Sequence, residues 1–387
     1  MKQQKTNNWQ IKKLGEVCEV ITGTTPSKKD EENYGSDLPF CKPPHLWDNE
    51  ISFTIEEMLS YKGAKKARVV PPNTVLVTCI GNLGRTGFLK KEAAFNQQIN
   101  AILENDKLIG KYIFYQAQSP SFRNQLEKLA TGTTVSIVNK KNFETIEIPI
   151  PPLETQHAIV SKIEELFSEL DKGITELKTA QQQLKTYRQS VLKSAFEGKL
   201  TNDNVKEGEL PEGWKLKNLG EIFKVSSGKG IKINQLKGGD YCVYGGNGLN
   251  GYHSEYFIEE SVLIIGRVGV KCGVTHITKP KGWVSDNALI VKPIIEDFDI
   301  KFFKLRLEFE NLNKLSVSTA QPVISGNSIY SVQVFLPKLE EQYRIVQEIE
   351  SRLSVADKME QSIQESLQKA EALRQSILKK AFCGELV

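Results

Sequence analysis

The feature that most constrains this chain is a heptad pattern over residues 154–196. The stretch contains no proline and one glycine, Gly173, and apolar residues recur in it every three or four positions. These apolar residues are Val160, Ile163, Phe167, Leu170, Ile174, Leu177, Leu184, Val191 and Ala195, and the polar residues Gln181 and Arg188 interrupt them. The pattern predicts a helix roughly 65 Å long that needs a second helix to cover its apolar seam.

The second helix is a repeat of the first. Residues 340–382 align with residues 154–196 at a shift of 186 positions, which pairs Gln156 with Gln342 and Asp171 with Asp357. The same shift places RQSVLKSAFEGKL, residues 188–200, on RQSILKKAFCGEL, residues 374–386. The sequence therefore predicts two copies of one long helix.

The duplication continues outside the helices. WQIKKLGEVCEVITG (residues 9–23) matches WKLKNLGEIFKVSSG (residues 214–228), and VLVTCIGNLGRTGF (residues 75–88) resembles VLIIGRVGVKCGV (residues 262–274). Between these matched segments, residues 26–66 have no recognisable counterpart in residues 230–260. Two related globular segments with different inserts are expected.

This order of elements predicts an α+β fold with a pseudo-twofold internal repeat. The predicted parts are an α/β domain over residues 1–153, a long helix over 154–198, a second α/β domain over 199–338 that begins with a linker at 199–213, and a second helix with a tail over 339–387. A globule of this size has a radius of gyration of about 14 Å and does not bridge roughly 65 Å. The two helices are therefore expected to pair antiparallel, as a coiled coil.

Composition and charge restrict the classes of function. The six cysteines are scattered without CxxC pairs, so free thiols in a reducing cytoplasm are expected and no metal site. The chain has no apolar signal-peptide core and no run long enough to span a membrane. Residues 1–153 contain 20 basic and 16 acidic residues, and residues 339–387 contain 7 basic and 9 acidic ones. A polyanion would be attracted to the globular segments rather than to the second helix.

The motifs of common enzymes are missing. Gly228-Lys229-Gly230 lacks the spacing and the Ser or Thr of a phosphate-binding loop, and the glycines at 81, 84 and 87 lack the beginning of a dinucleotide-binding motif. The sequence therefore favours a non-catalytic, binding protein. Two other hypotheses stay open: a scaffold whose globular segments bind proteins, and an enzyme whose residues the sequence does not reveal.

Loops rich in amide, hydroxyl and basic side chains are the candidate DNA contacts, because these groups bind base edges and phosphates. In the first segment they are Thr24, Thr25, Lys28, Lys29, Asn82, Arg85, Gln97, Gln98, Thr133 and Thr134. In the second they are Lys229, Lys232, Asn247, Arg267, Asn287, Thr319 and Gln321. The loops around Arg85 and Arg267 look like a matched pair that places an arginine beside a flexible backbone. The alternative for each loop is a solvated turn, a hairpin or a strand cap.

Three motifs occur twice and in the same order. They are W-x-x-x-x-L-G-E from Trp9 and Trp214, P-x-x-E-x-Q before each long helix, and R-Q-S-[VI]-L-K-x-A-F-x-G-x-L at each helix end. In these motifs the chain resembles the specificity subunits of type I restriction-modification systems over essentially its whole length.

The resemblance implies a function in double-stranded DNA recognition. Each of two target-recognition domains would read one part of an asymmetric, bipartite site, and the helices would set the spacing. It implies assembly with two modification (methyltransferase) subunits and with restriction subunits that translocate and cleave DNA. It also implies that S-adenosylmethionine, ATP and Mg are bound by those partners and that this chain binds no cofactor.

Overall fold

A computed structural model of the chain describes residues 9–51, 57–132, 134–202, 205, 209–232, 236, 238–269, 271–316 and 322–387. The chain divides into two compact units, Met1–Leu177 with Glu365–Val387 (unit 1) and Lys178–Gln364 (unit 2). Each unit contains one globular segment and part of each long helix.

Unit 1 is built mainly from short, buried strands. They are β1 (Gln10–Lys13), β2 (Val20–Thr22), β3 (Tyr34–Gly35), β4 (Leu38–Cys41), β5 (Asn49–Ile51), β6 (Met58–Leu59), β7 (Val69–Val70), β8 (Val75–Thr78), β9 (Thr86–Leu89), β10 (Ala93–Phe95), β11 (Ile99–Ile102) and β12 (Glu147–Ile150). The short helices are α1 (Leu14–Val17), α2 (Tyr61–Ala64), α3 (Gly110–Gln118), α4 (Pro120–Lys128) and α5 (Lys140–Phe143). The strands form sheets in the orders β2-β11-β8-β9-β5, β3-β6-β4-β10-β7 and β1-β12.

Unit 2 repeats this plan with fewer strands. They are β13 (Lys215–Asn218), β14 (Phe223–Ser227), β15 (Tyr241–Gly245), β16 (Gly248–His253), β17 (Leu263–Gly266), β18 (Thr275–Ile277), β19 (Trp283–Val284), β20 (Ala288–Pro293) and β21 (Gln333–Leu336). Its short helices are α7 (Leu219–Ile222), α8 (Ile300–Glu310) and α9 (Gly326–Tyr330). The sheet orders are β14-β20-β17-β18, β16-β15-β19 and β13-β21. The mixed α/β fold with two repeated domains is thereby confirmed.

The inserts share one strand that the sequence comparison missed. In unit 1, β4 pairs in parallel with β10, Phe40 lying opposite Ala94. In unit 2, β15 pairs in parallel with β19, Val243 lying opposite Trp283. The two pairings occupy the same place in the repeat, although the strands have different sequences, because a β-ladder is made by backbone groups.

The two long helices are α6 (Leu153–Phe196) and α10 (Leu339–Phe382), each of 44 residues. In unit 1 the beginning of α6, with Ile163, shares a core cluster with the end of α10, with Leu378. In unit 2 the end of α6, with Phe196, shares a core cluster with the beginning of α10, with Ile345. The helices therefore run antiparallel in each unit, whereas a regular coiled-coil geometry stays a prediction.

A repeated ion pair links the helices. In unit 1 the Arg374 guanidinium donates to the Asp171 carboxylate. In unit 2 Arg188 Nη2 donates to Asp357 Oδ1 at 2.6 Å and to Glu360 Oε2 at 2.9 Å. Arg188 aligns with Arg374 and Asp357 with Asp171, so both units contain the same pair. Such solvent-exposed pairs contribute about 0–1 kcal/mol, which suits a role in helix register better than one in stability.

The glycine of the repeated R-Q-S motif ends each helix. Gly198 has φ +78° and Gly384 has φ +74°, in the left-handed region that favours glycine. After α6, Lys199 N donates to Ser194 O at 2.9 Å and Gly198 N donates to Ala195 O at 3.1 Å. The same two bonds recur after α10. Both ends are Schellman motifs, which satisfy the last carbonyl groups of a helix.

A buried glutamine joins the start of each long helix to its globular segment. Gln156 is fully buried, its Oε1 accepts from Ile109 N at 3.1 Å, and its Nε2 donates to Lys107 O at 2.7 Å and Pro151 O at 3.0 Å. Gln342 is equally buried and makes the equivalent three bonds, to Asp299 N, Asp297 O and Pro337 O. This explains the glutamine of the repeated P-x-x-E-x-Q motif.

Gly23 and Gly228 are the last residues of the matched segments 9–23 and 214–228. Each lies where two loops approach closely. A Cβ added at Gly23 would lie 2.2 Å from Asn96 O, and one added at Gly228 would lie 2.2 Å from Ser285 O. Because both contacts are with backbone atoms, a side chain at either position would force the loops apart.

We expect Gln156→Leu to lower the free energy of unfolding by on the order of 3 kcal/mol, since it leaves three backbone groups without partners. Urea unfolding of the full chain, followed by circular dichroism, measures the loss. Gln183→Leu, at an exposed position of α6, is the control and should change stability by less than about 0.5 kcal/mol. Wild-type stability in Gln156→Leu would contradict this account of the motif.

We expect Gly23→Ala to destabilise unit 1 by about 1–3 kcal/mol through the contact with Asn96 O. Gly173→Ala is the matched control, because a Cβ at Gly173 meets no atom within 4 Å. That change should stabilise the α6 helix by about 0.5–1 kcal/mol. Thermal unfolding of both variants would show opposite shifts, and equal shifts would disprove the close-approach argument.

Candidate nucleic-acid interface

Four loops of unit 1 meet at one end of the strands of the β2-β11-β8-β9-β5 sheet. They are loop 1 (residues 23–29), loop 2 (79–85), loop 3 (96–98) and loop 4 (131–138), of which residue 133 lies outside the described part of the chain. The first three leave the same ends of neighbouring antiparallel strands, since Thr22 lies opposite Asn100 and Thr78 lies opposite Ile99. The fold therefore brings together segments that are far apart in sequence.

Backbone hydrogen bonds hold these loops in place. In loop 1, Thr24 N donates to Phe95 O at 3.0 Å. In loop 2, Cys79 N donates to Gln98 O of loop 3 at 2.8 Å, and Cys79 O accepts from Val138 N of loop 4 at 2.8 Å. The loops are thus positioned by main-chain groups, which leaves their side chains free to vary.

Unit 2 has an equivalent set of loops: loop 1′ (228–232), loop 2′ (267–274), loop 3′ (285–287) and loop 4′ (316–324), of which residues 270 and 317–321 are not described. Arg267 N donates to Asn287 O and Arg267 O accepts from Ile324 N, both at 2.9 Å. These are the bonds that Cys79 makes in unit 1. The framework of the two loop sets is the same.

This equivalence locates the two arginines of the paired loops. The sequence comparison paired the loops around Arg85 and Arg267, and the backbone hydrogen bonds show that the two arginines occupy different positions in these loops, with Arg267 at the position of Cys79. Thr78 N donates to Arg85 O and Gly266 N donates to Val274 O, so Arg85 corresponds to Val274. Loop 2′ also contains one more residue than loop 2 between its two left-handed glycines, which are Gly269 and Gly273 in loop 2′ and Gly81 and Gly84 in loop 2.

The structure brings two predicted residues of unit 1 into direct contact, since Thr25 Oγ1 of loop 1 donates to Gln97 Oε1 of loop 3. Gln97, Asn82, Lys29 and Thr134 are exposed. Their side chains are accessible to a ligand, as the prediction requires, but DNA contact stays a prediction for all of them.

Other predicted residues of unit 1 have structural partners. Thr24 Oγ1 accepts from Arg68 N at 3.0 Å, and Gln98 Oε1 accepts from Asn96 Nδ2 at 2.9 Å. The Lys28 ammonium lies 3.8 Å from the Glu57 carboxylate. For Thr24 and Gln98 these contacts agree with the alternative of a structural turn. Thr133 lies outside the described residues.

In unit 2 the predicted residues lie around loops 1′ to 3′. Asn247, in the β15–β16 turn, and Asn287 are exposed, as is Lys232. Arg267 Nη1 donates to Ser227 Oγ at 3.4 Å, and the Lys229 ammonium lies 4.4 Å from the Phe257 ring centroid. Thr319 and Gln321 lie outside the described residues.

Trp47 was not among the predicted residues, and the unit 1 insert places it beside loop 2. Its side chain is 63% exposed, and the Arg85 guanidinium carbon lies 3.9 Å from the centre of its ring. Tryptophan usually packs inside proteins, so an exposed one has no sequence signal.

Acidic residues neutralise part of the basic surface near loop 1. Lys66 Nζ donates to Asp30 Oδ2 at 2.9 Å, and Lys62 is also paired with Asp30. The hydrogen bond from Lys66, followed by that from Lys62, holds the pKa of Asp30 below its ordinary value. These lysines are therefore occupied within the protein at neutral pH.

Cys79 lies where loops 1–4 of unit 1 meet (the loop cluster), and its side chain is 3% exposed. Burial raises the pKa of the Cys79 thiol to about 12, so the thiol is protonated at neutral pH. Among the described residues, no group of three or more His, Cys, Asp or Glu side chains is arranged to hold a metal ion. Nor does the described part of the chain contain a helix long and apolar enough to cross a membrane.

Comparison with known proteins identifies relatives over nearly the whole chain. The StySPI type I restriction enzyme specificity subunit of Salmonella potsdam is 25% identical over 421 residues, covering 98% of this chain and 89% of that protein. The EcoKI specificity subunit of Escherichia coli K12 is 25% identical over 414 residues, with the same coverage of both chains.

Two solved structures share the fold. One, from work on complex assembly and conformational transition of the type I R-M system, has a TM-score of 0.81 at 20% identity and covers 97% of this chain and 98% of that chain. The other, the HsdS subunit from Thermoanaerobacter tengcongensis, has a TM-score of 0.60 at 20% identity and covers 97% of both chains.

The family model for the type I restriction modification DNA specificity domain matches residues 6–179 and 211–369. These two matches include both loop sets and most of both long helices. The chain therefore belongs to the type I restriction modification DNA specificity family.

Proposed function

We propose that this chain is the DNA-recognition subunit of a type I restriction-modification complex and that each unit reads one half of an asymmetric, two-part site. The observation that carries the proposal is the presence of two unlike sets of polar side chains on one repeated backbone framework. Identical loop sets would read a symmetric site, whereas Cys79, Gln98 and Arg85 in unit 1 correspond to Arg267, Asn287 and Val274 in unit 2.

The chemistry of the loops supports DNA as the ligand. Amide and hydroxyl groups bind base edges in the major groove, and lysine and arginine bind guanine or phosphates. The excess of positive charge in residues 1–153, 20 basic against 16 acidic residues, would add a sequence-independent attraction to the DNA backbone.

Methylation and cleavage are assigned in this proposal to partner subunits, which would bind S-adenosylmethionine, ATP and Mg. The loop cluster of unit 1 offers no activated cysteine, and the repeated framework is occupied by backbone hydrogen bonds rather than by acid–base pairs. The chain itself would act by selecting the DNA site.

An exposed apolar position that recurs in both units supports binding of two copies of one partner. Ile11 in β1 is 67% exposed, and Leu216 in β13, its equivalent in the repeat, is 52% exposed. Each lies on a two-stranded sheet beside the start of a long helix, opposite Pro149 or Phe335. These sheets belong to the shared framework rather than to the inserts. We therefore infer that each sheet binds one of the two modification subunits.

Exchange of one loop set tests the recognition proposal. Loops 1–4 of unit 1 would be replaced by those of a family member with a different known half-site, and the chain would be assembled with its modification subunits. We expect methylation to move to a site in which only one half has changed. The control replaces the exposed positions of α6 alone and should keep the original site. Unchanged methylation after loop exchange would contradict the proposal.

Charge introduced on the two-stranded sheets tests the partner proposal. We expect Ile11→Asp and Leu216→Asp each to reduce the number of bound modification subunits from two to one. The double variant should bind none. Native mass spectrometry measures the number bound. Tyr61→Asp is the control, because Tyr61 is 77% exposed but lies in the insert of unit 1. Both single variants should unfold at the wild-type temperature, and two bound subunits in both would refute the assignment.

A further inference from the structure

Arg85 is the arginine of the unit 1 loop cluster whose hydrogen-bonding edge is unoccupied. Its guanidinium has no carboxylate partner and donates no hydrogen bond within the described part of the chain, whereas Arg68 donates to Thr22 O and Arg123 donates to the Asp48 carboxylate. The Arg85 guanidinium instead lies against the Trp47 ring, with 3.9 Å between its central carbon and the ring centre. One face is therefore covered while its five N–H groups stay available.

The Trp47 ring is held in a defined position although it is exposed. Its Nε1 donates to Pro44 O at 2.7 Å, and its backbone N donates to Asn49 Oδ1 at 2.8 Å. These two bonds fix both the ring and the main chain of the turn. The indole is thus a rigid platform for the arginine rather than a freely rotating surface side chain.

The next residue in the turn, Asp48, is strained and fully engaged. Its φ of +59° lies in the left-handed region, which costs free energy for a residue other than glycine. Asp48 Oδ1 accepts from Thr86 N and Thr86 Oγ1, both at 3.0 Å, and Oδ2 accepts from Arg123. The Asp48 carboxylate, in the turn beside Trp47, is therefore committed to Thr86 and Arg123 and does not pair with Arg85.

Arg85 is also attached directly to the loop cluster. Its backbone N donates to Thr78 Oγ1 at 3.0 Å and its O accepts from Thr78 N at 2.9 Å. The residue after Thr78 bonds to Gln98 O in loop 3. Unit 2 has Val274 at the position of Arg85, so the arginine and its aromatic platform belong to unit 1 alone.

We propose that Trp47 and Arg85 form a guanine reader for the unit 1 half of the site, an inference that rests on the proposed function. Stacking on Trp47 fixes the plane of the Arg85 guanidinium, and its free edge then donates two hydrogen bonds to O6 and N7 of a guanine in the major groove. A bidentate contact of this kind requires a planar group held in one orientation. Arg85 is the reading residue and Trp47 is a positioning residue.

The test uses the complex of the full chain with its modification subunits and a library of duplexes randomised over the unit 1 half-site. We expect wild type to select guanine at one position, and Arg85→Lys to reduce that selection about 5- to 150-fold while other positions are unchanged. Trp47→Leu should reduce selection at the same position by a smaller factor. Trp47→Phe, which keeps an aromatic face, should restore most of it.

Arg267→Lys is the matched control, because it lies in unit 2 and should leave selection in the unit 1 half-site unchanged. If Arg85→Lys weakens binding to all sequences equally and lowers the salt dependence, Arg85 contacts a phosphate and the guanine reader is refuted. Unchanged selection in both Arg85→Lys and Trp47→Leu would also refute it. Loss of all sequence selection by the wild-type complex would instead refute the proposed function.

Discussion

The two buried glutamines, Gln156 and Gln342, are the contacts on which the rest of this structure depends. Each lies in the first turn of a long helix and bonds to the segment that precedes α3 or α8, as well as to the proline that follows the last strand. The bonds are to backbone groups, so they require no particular side chains in the globular segment. A long helix can in this way be fixed to a globular segment whose other loops vary.

The same separation between backbone framework and variable side chains governs the loop clusters. In unit 1 the main chain of Cys79 bonds to loops 3 and 4, and in unit 2 the main chain of Arg267 makes the same bonds. A buried thiol and a charged side chain thus occupy one framework position. Because main-chain hydrogen bonds do not depend on the residue type, a side chain here can change without loss of the loop geometry. This is the property that a recognition surface with many possible targets requires.

Periodic and repeated features were predictable from sequence, because they arise from local physics. The heptad pattern predicted the long helix α6, the repeat predicted α10, and the connectivity of the chain predicted that the two helices run antiparallel. The strand shared by the inserts, β4 and β15, was not predictable, since a strand of four or five residues held by backbone pairing carries little sequence signal. The role of Gln156 was missed for a related reason: its partners are backbone groups far along the chain.

The loops were the hardest part to predict. Candidate polar residues were chosen by type, and the structure divides them into exposed side chains, such as Gln97 and Asn287, and side chains used within a turn, such as Thr24 and Gln98. Trp47 was absent from the prediction because its exposure depends on the hydrogen bonds of its turn. The two arginines of the paired loops lie at different positions, Arg85 at the end of loop 2 and Arg267 at the start of loop 2′, and this difference is not visible without the hydrogen-bond register.

The different positions of Arg85 and Arg267 in their loops affect how the two units differ. At the position of Cys79 a side chain points from a loop held at both sides, as Arg267 shows through its bond to Ser227 Oγ. At the position of Arg85 the side chain can reach the insert, where unit 1 supplies Trp47. The inserts therefore act by orienting the side chains of the shared loops as well as by adding surface. In this way a different insert beside the same strand ends gives each unit a different arrangement of side chains on one framework.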